Sequence, residues 1–196
     1  MHPEPVTLRG KLVRLEPLEL EHVRALSEEG LDPDIWELNP RSIVVEKDLR
    51  SYVSDAIADR ESGISIPFAI VENESGQAIG STRYANMDSH SRRLEIGWTW
   101  IFPSWQRTGV NTECKLLLLT HAFEKLGCAR VELKTDTLNQ RSRDAILRLG
   151  AKEEGIFRKH VLTYSGRWRD TVYYAILDDE WPVVKQRLLN KTAAYG

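Results

Sequence analysis

One stretch of the chain has the residue types and spacing to hold an anion. It is Gln106-Arg107-Thr108-Gly109-Val110-Asn111-Thr112, between an apolar strand pattern and an apolar helix pattern. A helix start exposes N–H groups that have no partner in the helix, and it carries the positive end of the helix dipole. A glycine there lets a phosphate approach the backbone. One glycine is a loose signal, and the spacing matches neither a Walker loop nor a dinucleotide fingerprint. A second feature is the lone carboxylate Glu95 in an apolar strand pattern over residues 93–102. Leu94, Ile96, Trp98, Trp100 and Phe102 share one parity, so strict alternation turns Glu95 away from the aromatic face. Other reactive patterns are missing. His2, His22, His90, His121 and His160 form no metal spacing, so no metal is expected. Cys114 and Cys128 fit neither a zinc site nor a disulfide framework, and no G-x-S-x-G elbow supports a hydrolase.

These residues need a scaffold, and the punctuation of the chain outlines one. A strand over 11–17 ends at Pro17, and a helix over 18–29 stops at Gly30. A loop over 31–40 carries Ile35 and Trp36, whose apolar bulk must pack somewhere. Leu49, Tyr52, Val53, Ala56 and Ile57 follow helical spacing, which predicts an amphipathic helix over 46–61. Strands over 66–71 and 78–84 flank a turn and form an antiparallel hairpin, followed by a polar loop over 86–91. After the strand at 93–102 a helix runs to about residue 126, apolar all round at 116–119. A strand over 129–135 and a helix over 139–149, closed by Gly150, come next. Two strands over 156–164 and 168–177 join at Ser165-Gly166. Asp178 or Asp179 is expected to cap a last helix through about 189, with Pro182 in its first turn. The order predicts one α/β domain over 1–196, with a C-terminal helix and tail from about 178, and helices on both faces of a mixed sheet.

Composition narrows the partners. With 27 basic and 29 acidic residues the formal charge is −2, so no nucleic-acid footprint is expected. Arg141, Arg143 and Arg148 cluster on one helix and read as a solvated face. No apolar run nears the roughly 20 residues that span a bilayer, so no membrane partner is expected. The N-terminus has no apolar core of a secretory signal, and the thiols suit a reducing cytoplasm.

The loop and its frame together resemble the GCN5-related N-acetyltransferases (GNAT). That family's Gln/Arg-x-x-Gly-x-Gly/Ala motif is matched by Gln106 and Gly109, with Asn111 at its last position. The resemblance extends to Leu94-Glu95-Ile96-Gly97-Trp98, to Asn139-Gln140-Arg141-Ser142, and to Leu149-Gly150-Ala151. With Leu12-Val13-Arg14-Leu15-Glu16-Pro17-Leu18, these phrases are similar to the ribosomal-protein N-terminal acetyltransferase branch. The resemblance implies a mostly antiparallel sheet of about seven strands, splayed between the fourth and fifth to admit acetyl-CoA as co-substrate. Trp100, Ile101 and Phe102 would then pair with the pantetheine arm. The N–H groups of Arg107, Thr108, Gly109, Val110, Asn111 and Thr112 would hold the pyrophosphate. Asn139 would reach the pantetheine, and Arg107 or Arg143 a phosphate.

Acyl transfer to an amine needs a proton acceptor, because amines are mostly protonated at pH 7. Glu95 is the candidate base; the plainer alternative is a sheet-face carboxylate paired with Arg93 or Arg83. A backbone N–H near Trp100 or Ile101 would stabilise the oxyanion, and Ser142 is a candidate partner for the thiolate. The tyrosine that many family members carry seven residues after the helix-start asparagine is replaced by Ile146. The early helices, the 31–40 loop and the C-terminal hairpin should build the acceptor site, with Trp36, Trp98 and Trp168 as candidate lining residues. The acceptor stays open between a protein N-terminus and a small amine, as does a homodimer. Asn111 and Ile146 also leave open a non-catalytic acyl-CoA-binding protein.

Overall fold

The computed structural model describes residues 3–193; residues 1–2, with His2, and 194–196 lie outside them. Eight strands form one sheet: β1 (Leu8–Arg9), β2 (Val13–Pro17), β3 (Ser65–Glu72), β4 (Ala78–Asp88), β5 (Arg93–Ile101), β6 (Arg130–Asp136), β7 (Lys152–Leu162) and β8 (Trp168–Leu177). Their spatial order is β1-β2-β3-β4-β5-β6-β8-β7. Every neighbouring pair is antiparallel except β5–β6. The strand beyond the expected seven is the two-residue β1, too short to show a period.

Helices cover both faces. One face carries α1 (Val23–Leu26), α2 (Pro33–Trp36) and α3 (Glu46–Glu61). On that side Arg83 of β4 reaches Asp59 of α3 at 3.3 Å. The other face carries α4 (Val110–Thr120), α5 (Gln140–Leu149) and α6 (Trp181–Thr192). There the Tyr84 hydroxyl of β4 donates to the Leu118 carbonyl of α4 at 2.7 Å. A π turn at His121–Lys125 extends α4, and Phe123 within it stacks on Trp181 of α6, 5.2 Å between centroids.

α3 matches its expected bounds, and Leu49, Tyr52, Val53 and Ala56 form its buried stripe. Elsewhere tertiary contacts reshape local expectations. The helix expected over 18–29 is a 3-10 turn at Leu20–His22 followed by the four-residue α1. The turns after α1 close at Gly30, whose amide donates to the Leu26 carbonyl and where a Cβ would lie 2.2 Å from that oxygen. The 31–40 loop contains α2, which starts on Pro33 with the Asp32 side chain accepting from the Asp34 amide. Neither Asp178 nor Asp179 caps α6. Its N-cap is Glu180, whose carboxylate turns back to accept from the Leu177 amide at 3.0 Å.

Two features of β5 position the site. It pairs with β6 only over Arg93–Arg130, Leu94–Val131 and Glu95–Glu132, after which the strands part. On its other edge β5 follows β4 to Ile101, but the register shifts between Ser81–Trp100 and Arg83–Gly97. One residue of β4 there, Thr82, opposes two of β5, Trp98 and Thr99, so β5 bulges, and Trp98 sits at φ 49°. A bulge of this kind bends a strand and re-aims its side chains.

Candidate functional site

The bulge overturns the strict alternation expected for β5. Ile96 pairs with Tyr84 on the α4 face. Past the bulge Thr99, not Trp100, points to that face, where its hydroxyl meets Thr82 at 2.8 Å and the ammonium of Lys115 from α4 at 2.6 Å. Trp100 turns to the α1–α3 face and packs on Trp36 at 5.4 Å. Trp98 faces the same way, 5.4 Å from the Arg83 guanidinium. Glu95 therefore shares a face with both tryptophans.

Glu95 sits where β5 and β6 begin to part and is 2% exposed. Its Oε2 accepts from Asn86 Nδ2 at 2.6 Å and pairs with Lys134 Nζ at 2.8 Å. A buried charge is tolerable only when paired and hydrogen-bonded, and these two partners meet that need. Neither Arg83 nor Arg93 is the partner: Arg83 pairs with Asp59, and Arg93 with Asp88 and Glu132. Gly97 is part of the same nest, since a Cβ there would lie 2.7 Å from Glu95 Oε1.

Lys134 and Asn86 escape a reading by sequence pattern, although signals exist. The alternation Val131, Leu133, Thr135 along β6 sends Lys134 to the opposite face. Asn86 adopts φ 48°, a backbone region in which asparagine is enriched. The Lys134 ammonium also lies 5.8 Å from the Trp98 ring centre and 5.6 Å from that of Tyr173, a cation–π arrangement. His160 completes this wall. A register shift in β7 with Lys159 at φ 48° aims it back over β8, where Nδ1 meets the Thr171 hydroxyl at 3.2 Å and the ring lies 5.7 Å from Tyr173. Desolvation, then the nearby Lys134 and Arg169 charges, lower its pKa.

Beside Glu95 the sheet face is uncovered. A groove of about 720 Å³ opens there between Ile64, Met87, Phe157 and Tyr173, with Asn86 linking it to Glu95. Its charged residues pair among themselves: Arg93 with Asp88 and Glu132, and Arg130 with Glu132 and Glu154. At the other end of this face the β7–β8 turn meets the early loop, the Tyr164 amide donating to the Pro40 carbonyl at 3.2 Å.

The loop at 106–112 is held from within. Gln106 Nε2 donates to the Ile101 carbonyl at 3.0 Å, and the Thr108 hydroxyl to the Trp105 carbonyl at 2.7 Å. Arg107 adopts φ 61° and its side chain is exposed. Gly109 is the N-cap of α4, and Glu113 is the first amide to close a helical bond, on the Gly109 carbonyl at 2.9 Å. The amides before it have no carbonyl within the helix to bond. Among them, Val110 donates to the Thr108 hydroxyl at 3.3 Å. Asn111 is half-buried, and no acidic side chain falls within 106–112.

The second helix start differs. Asn139 caps α5 with its own side chain, Oδ1 accepting from the Ser142 amide at 2.9 Å. Its Nδ2 and the Ser142 hydroxyl are not used by that cap. Arg143 turns away, its guanidinium held by the Tyr174 hydroxyl, the Thr137 carbonyl and Glu153. Arg141 instead reaches the loop, donating to Gln106 Oε1 at 2.8 Å. Of the three candidate acceptor tryptophans, Trp36 is a core residue: it is 2% exposed and its indole N–H donates to the Gly30 carbonyl. Trp98 and Trp168 are open, at 43% and 53% exposure. Trp98 stands at the Glu95 nest and Trp168 at the start of β8.

The parted strands fit a narrow acyl carrier with a phosphate end. They offer an unpaired β5 edge past Glu95, closed at its far end by the helix start of α4. Among the described residues no three His, Cys, Asp or Glu side chains gather to hold a metal ion. No helix among them is long and apolar enough to cross a membrane.

Comparison with known proteins points the same way. Residues 13–152 match the family model described as an acetyltransferase (GNAT) domain. The [Ribosomal protein uS5]-alanine N-acetyltransferase of Escherichia coli (strain K12) is 25% identical over 122 residues, 62% of each chain. A GCN5-related N-acetyltransferase from Brucella melitensis superposes with a TM-score of 0.89 at 28% identity, covering 98% of this chain and 87% of that one. Mycobacterium smegmatis RimJ, solved in complex with CoA-disulfide, superposes with a TM-score of 0.82 at 26% identity over 100% of this chain and 98% of its own.

Proposed function

The chain belongs to the GNAT acetyltransferase family, and from that premise we propose that it transfers acetyl from acetyl-CoA directly to a primary amine in a ternary complex, with a protein N-terminus as the acceptor. The observation that carries this reading is the parting of β5 and β6 beyond Glu95, with the open helix start of α4 at its far end. The ribosomal-protein acceptor named for the Escherichia coli relative motivates the N-terminus.

In this reading the amides of Arg107, Thr108, Gly109, Val110, Asn111 and Thr112 hold the pyrophosphate, with Arg107 free to add charge. The open edge of β5 at Trp100 and Ile101 pairs with the pantetheine, and Asn139 Nδ2 donates to it. Phe102, expected to join them, is spent elsewhere, its amide donating to the Ile79 carbonyl and its carbonyl accepting from the Trp105 amide, both at 2.9 Å. Bound acetyl-CoA supplies an acetyl group activated as a thioester. Glu95 takes the proton that the acceptor ammonium must lose, directly or through water, while Asn86 and Gly97 fix its carboxylate. A backbone N–H near Trp100 or Ile101 stabilises the oxyanion, and the Ser142 hydroxyl orients or protonates the thiolate.

A second reading, a small amine as acceptor, draws support from the groove beside Glu95. Its volume of about 720 Å³ lies in the range of small-molecule sites. Thiol release with short peptides and small amines separates the two. Turnover confined to peptides with a free N-terminus supports the first reading, and turnover confined to small amines the second. Acetyl-CoA binding without turnover on any acceptor would leave a binding protein, and no thermal shift with acetyl-CoA would sink the whole reading.

A further inference from the structure

Lys134 is the residue that the proposed mechanism leaves without a task. It lies two residues beyond the last β5–β6 pair, on the diverging part of β6. From there its side chain reaches Glu95, placing Nζ 2.8 Å from the carboxylate that would take an acceptor's proton. The same nitrogen lies close to the Trp98 and Tyr173 rings, 5.8 and 5.6 Å from their centres. A primary ammonium at hydrogen-bond distance from the base, beside open aromatic faces, is the arrangement an acceptor amine needs at the moment of transfer. Here the chain supplies that amine itself.

We propose that Lys134 is a self-acceptor: in the absence of another amine the protein acetylates its own Lys134. This rests on the reading that Glu95 is the base and that acetyl-CoA lies between β5 and β6. In the step, the Lys134 ammonium gives one proton to Glu95, and the freed lone pair attacks the thioester carbonyl. The carbon–sulfur bond breaks, coenzyme A leaves as its thiol with a proton from solvent, and Nζ loses its last excess proton to water. The product is an uncharged amide that no longer pairs with Glu95. Modification would thus remove the built-in ammonium from the place an external acceptor must enter.

Chemical acetylation without catalysis follows exposure, which makes the test selective. The Lys134 side chain is 21% exposed, whereas that of Lys152 is 74% exposed. Lys47 and Lys159 are exposed as well. The full chain is incubated with acetyl-CoA and no acceptor, and acetyl occupancy is mapped peptide by peptide, with acetyl-CoA binding followed separately by thermal shift. The expected result is acetylation of Lys134 ahead of Lys47, Lys152 and Lys159. In Glu95→Gln the rate at Lys134 should fall about a hundredfold while the exposed lysines keep theirs. Lys134→Arg retains the cation and should lose the principal site.

If Lys134 stays unmodified while acetyl-CoA binds and an external amine is acetylated, the self-acceptor proposal is wrong and the proposed function stands. Labelling that tracks exposure, or that is unchanged in Glu95→Gln, also overturns it. Absence of acetyl-CoA binding overturns both readings together.

Discussion

Two glutamates are buried to a similar degree, Glu95 at 2% exposure and Glu113 at 6%, yet their surroundings differ, and we propose a reactive role for Glu95 alone. Glu113 projects from the first turn of α4 toward the N-terminal strands. It accepts from the amides of Lys11, Leu12 and Val13 at 2.8, 2.8 and 2.9 Å. Those donors are backbone, fixed by the β1–β2 turn, so the carboxylate staples one chain segment to another. Glu95 is held by side chains, Asn86 and Lys134, at the place where two strands part. Each carboxylate lies against a glycine, Glu113 on Gly10 and Glu95 on Gly97. Burial alone does not distinguish a staple from a reactive group. The distinction lies in whether the partners can move and whether a ligand can come near.

The largest expected effect tests the reactive half of this contrast. Glu95→Gln keeps the volume and one acceptor oxygen, so the fold should persist. Acetyl transfer should fall about a hundredfold or more, the usual cost of losing a general base. Steady-state rates across pH 6–9 check this, and wild-type turnover throughout would assign Glu95 to packing alone. Glu113→Ala tests the other half. It leaves three backbone donors without their acceptor, which should cost about 3 kcal/mol of stability at roughly 1 kcal/mol each. Urea unfolding measures that loss, and turnover per folded molecule should change little.

How much of this contrast the chain announces beforehand can be judged residue by residue. Helical spacing identifies α3 to its end residues because a single stripe of Leu49, Tyr52, Val53 and Ala56 decides it. Gln106 and Gly109 mark the helix start of α4, because capping and loop chemistry are local. Alternation fails on β5, since a bulge at Trp98 inserts one residue and flips the parity beyond it. It therefore misplaces Trp100 relative to Glu95. The partners Asn86 and Lys134 come from other strands, and pairing across strands is set by register, which no local pattern encodes. Trp36 likewise reads as a candidate lining residue of the acceptor site, but Tyr52 and Trp100 enclose it.

A third buried ion sharpens the rule about partners. Lys115 follows Glu113 by two residues and is 5% exposed, and among the described residues its ammonium has only the Thr99 hydroxyl as a partner, at 2.6 Å. Burial lowers its pKa to about 8. Between about pH 8 and the ordinary lysine value near 10.5 the unfolded chain binds the proton that the folded chain has released, so this residue makes stability rise with pH. The neighbouring Cys114 thiol acts oppositely: burial pushes it up to about 12, so stability falls above the ordinary thiol value near 9. Lys115→Met should therefore be more stable than wild type at pH 7, by about 2 kcal/mol, because a charge without a counter-ion is no longer buried. The gap should narrow as pH rises from 8 toward 10. Denaturation midpoints of both proteins along that series check it, and a constant gap would show that the amine does not titrate in this range.

The smallest effects come from the two glycines, and they separate staple from base most cleanly. An added methyl at position 97 would sit 2.7 Å from Glu95 Oε1, and one at position 10 would sit 2.5 Å from the Glu113 carboxyl carbon. In both cases the obstructed atoms belong to a side chain, which can swing aside more easily than backbone. Gly97→Ala should displace the carboxylate from Asn86 and Lys134 and slow transfer about tenfold, since a misplaced catalytic group loses alignment before the fold loses stability. Gly10→Ala should do the reverse, lowering stability by about 1 kcal/mol as the bonds to Lys11, Leu12 and Val13 lengthen, with the rate per folded molecule unchanged. Measuring both rate and unfolding midpoint for each variant crosses the two properties. If Gly97→Ala moved the midpoint and spared the rate, Glu95 would join Glu113 as a staple, and the base would have to be sought among the other titratable groups on that face, beginning with His160.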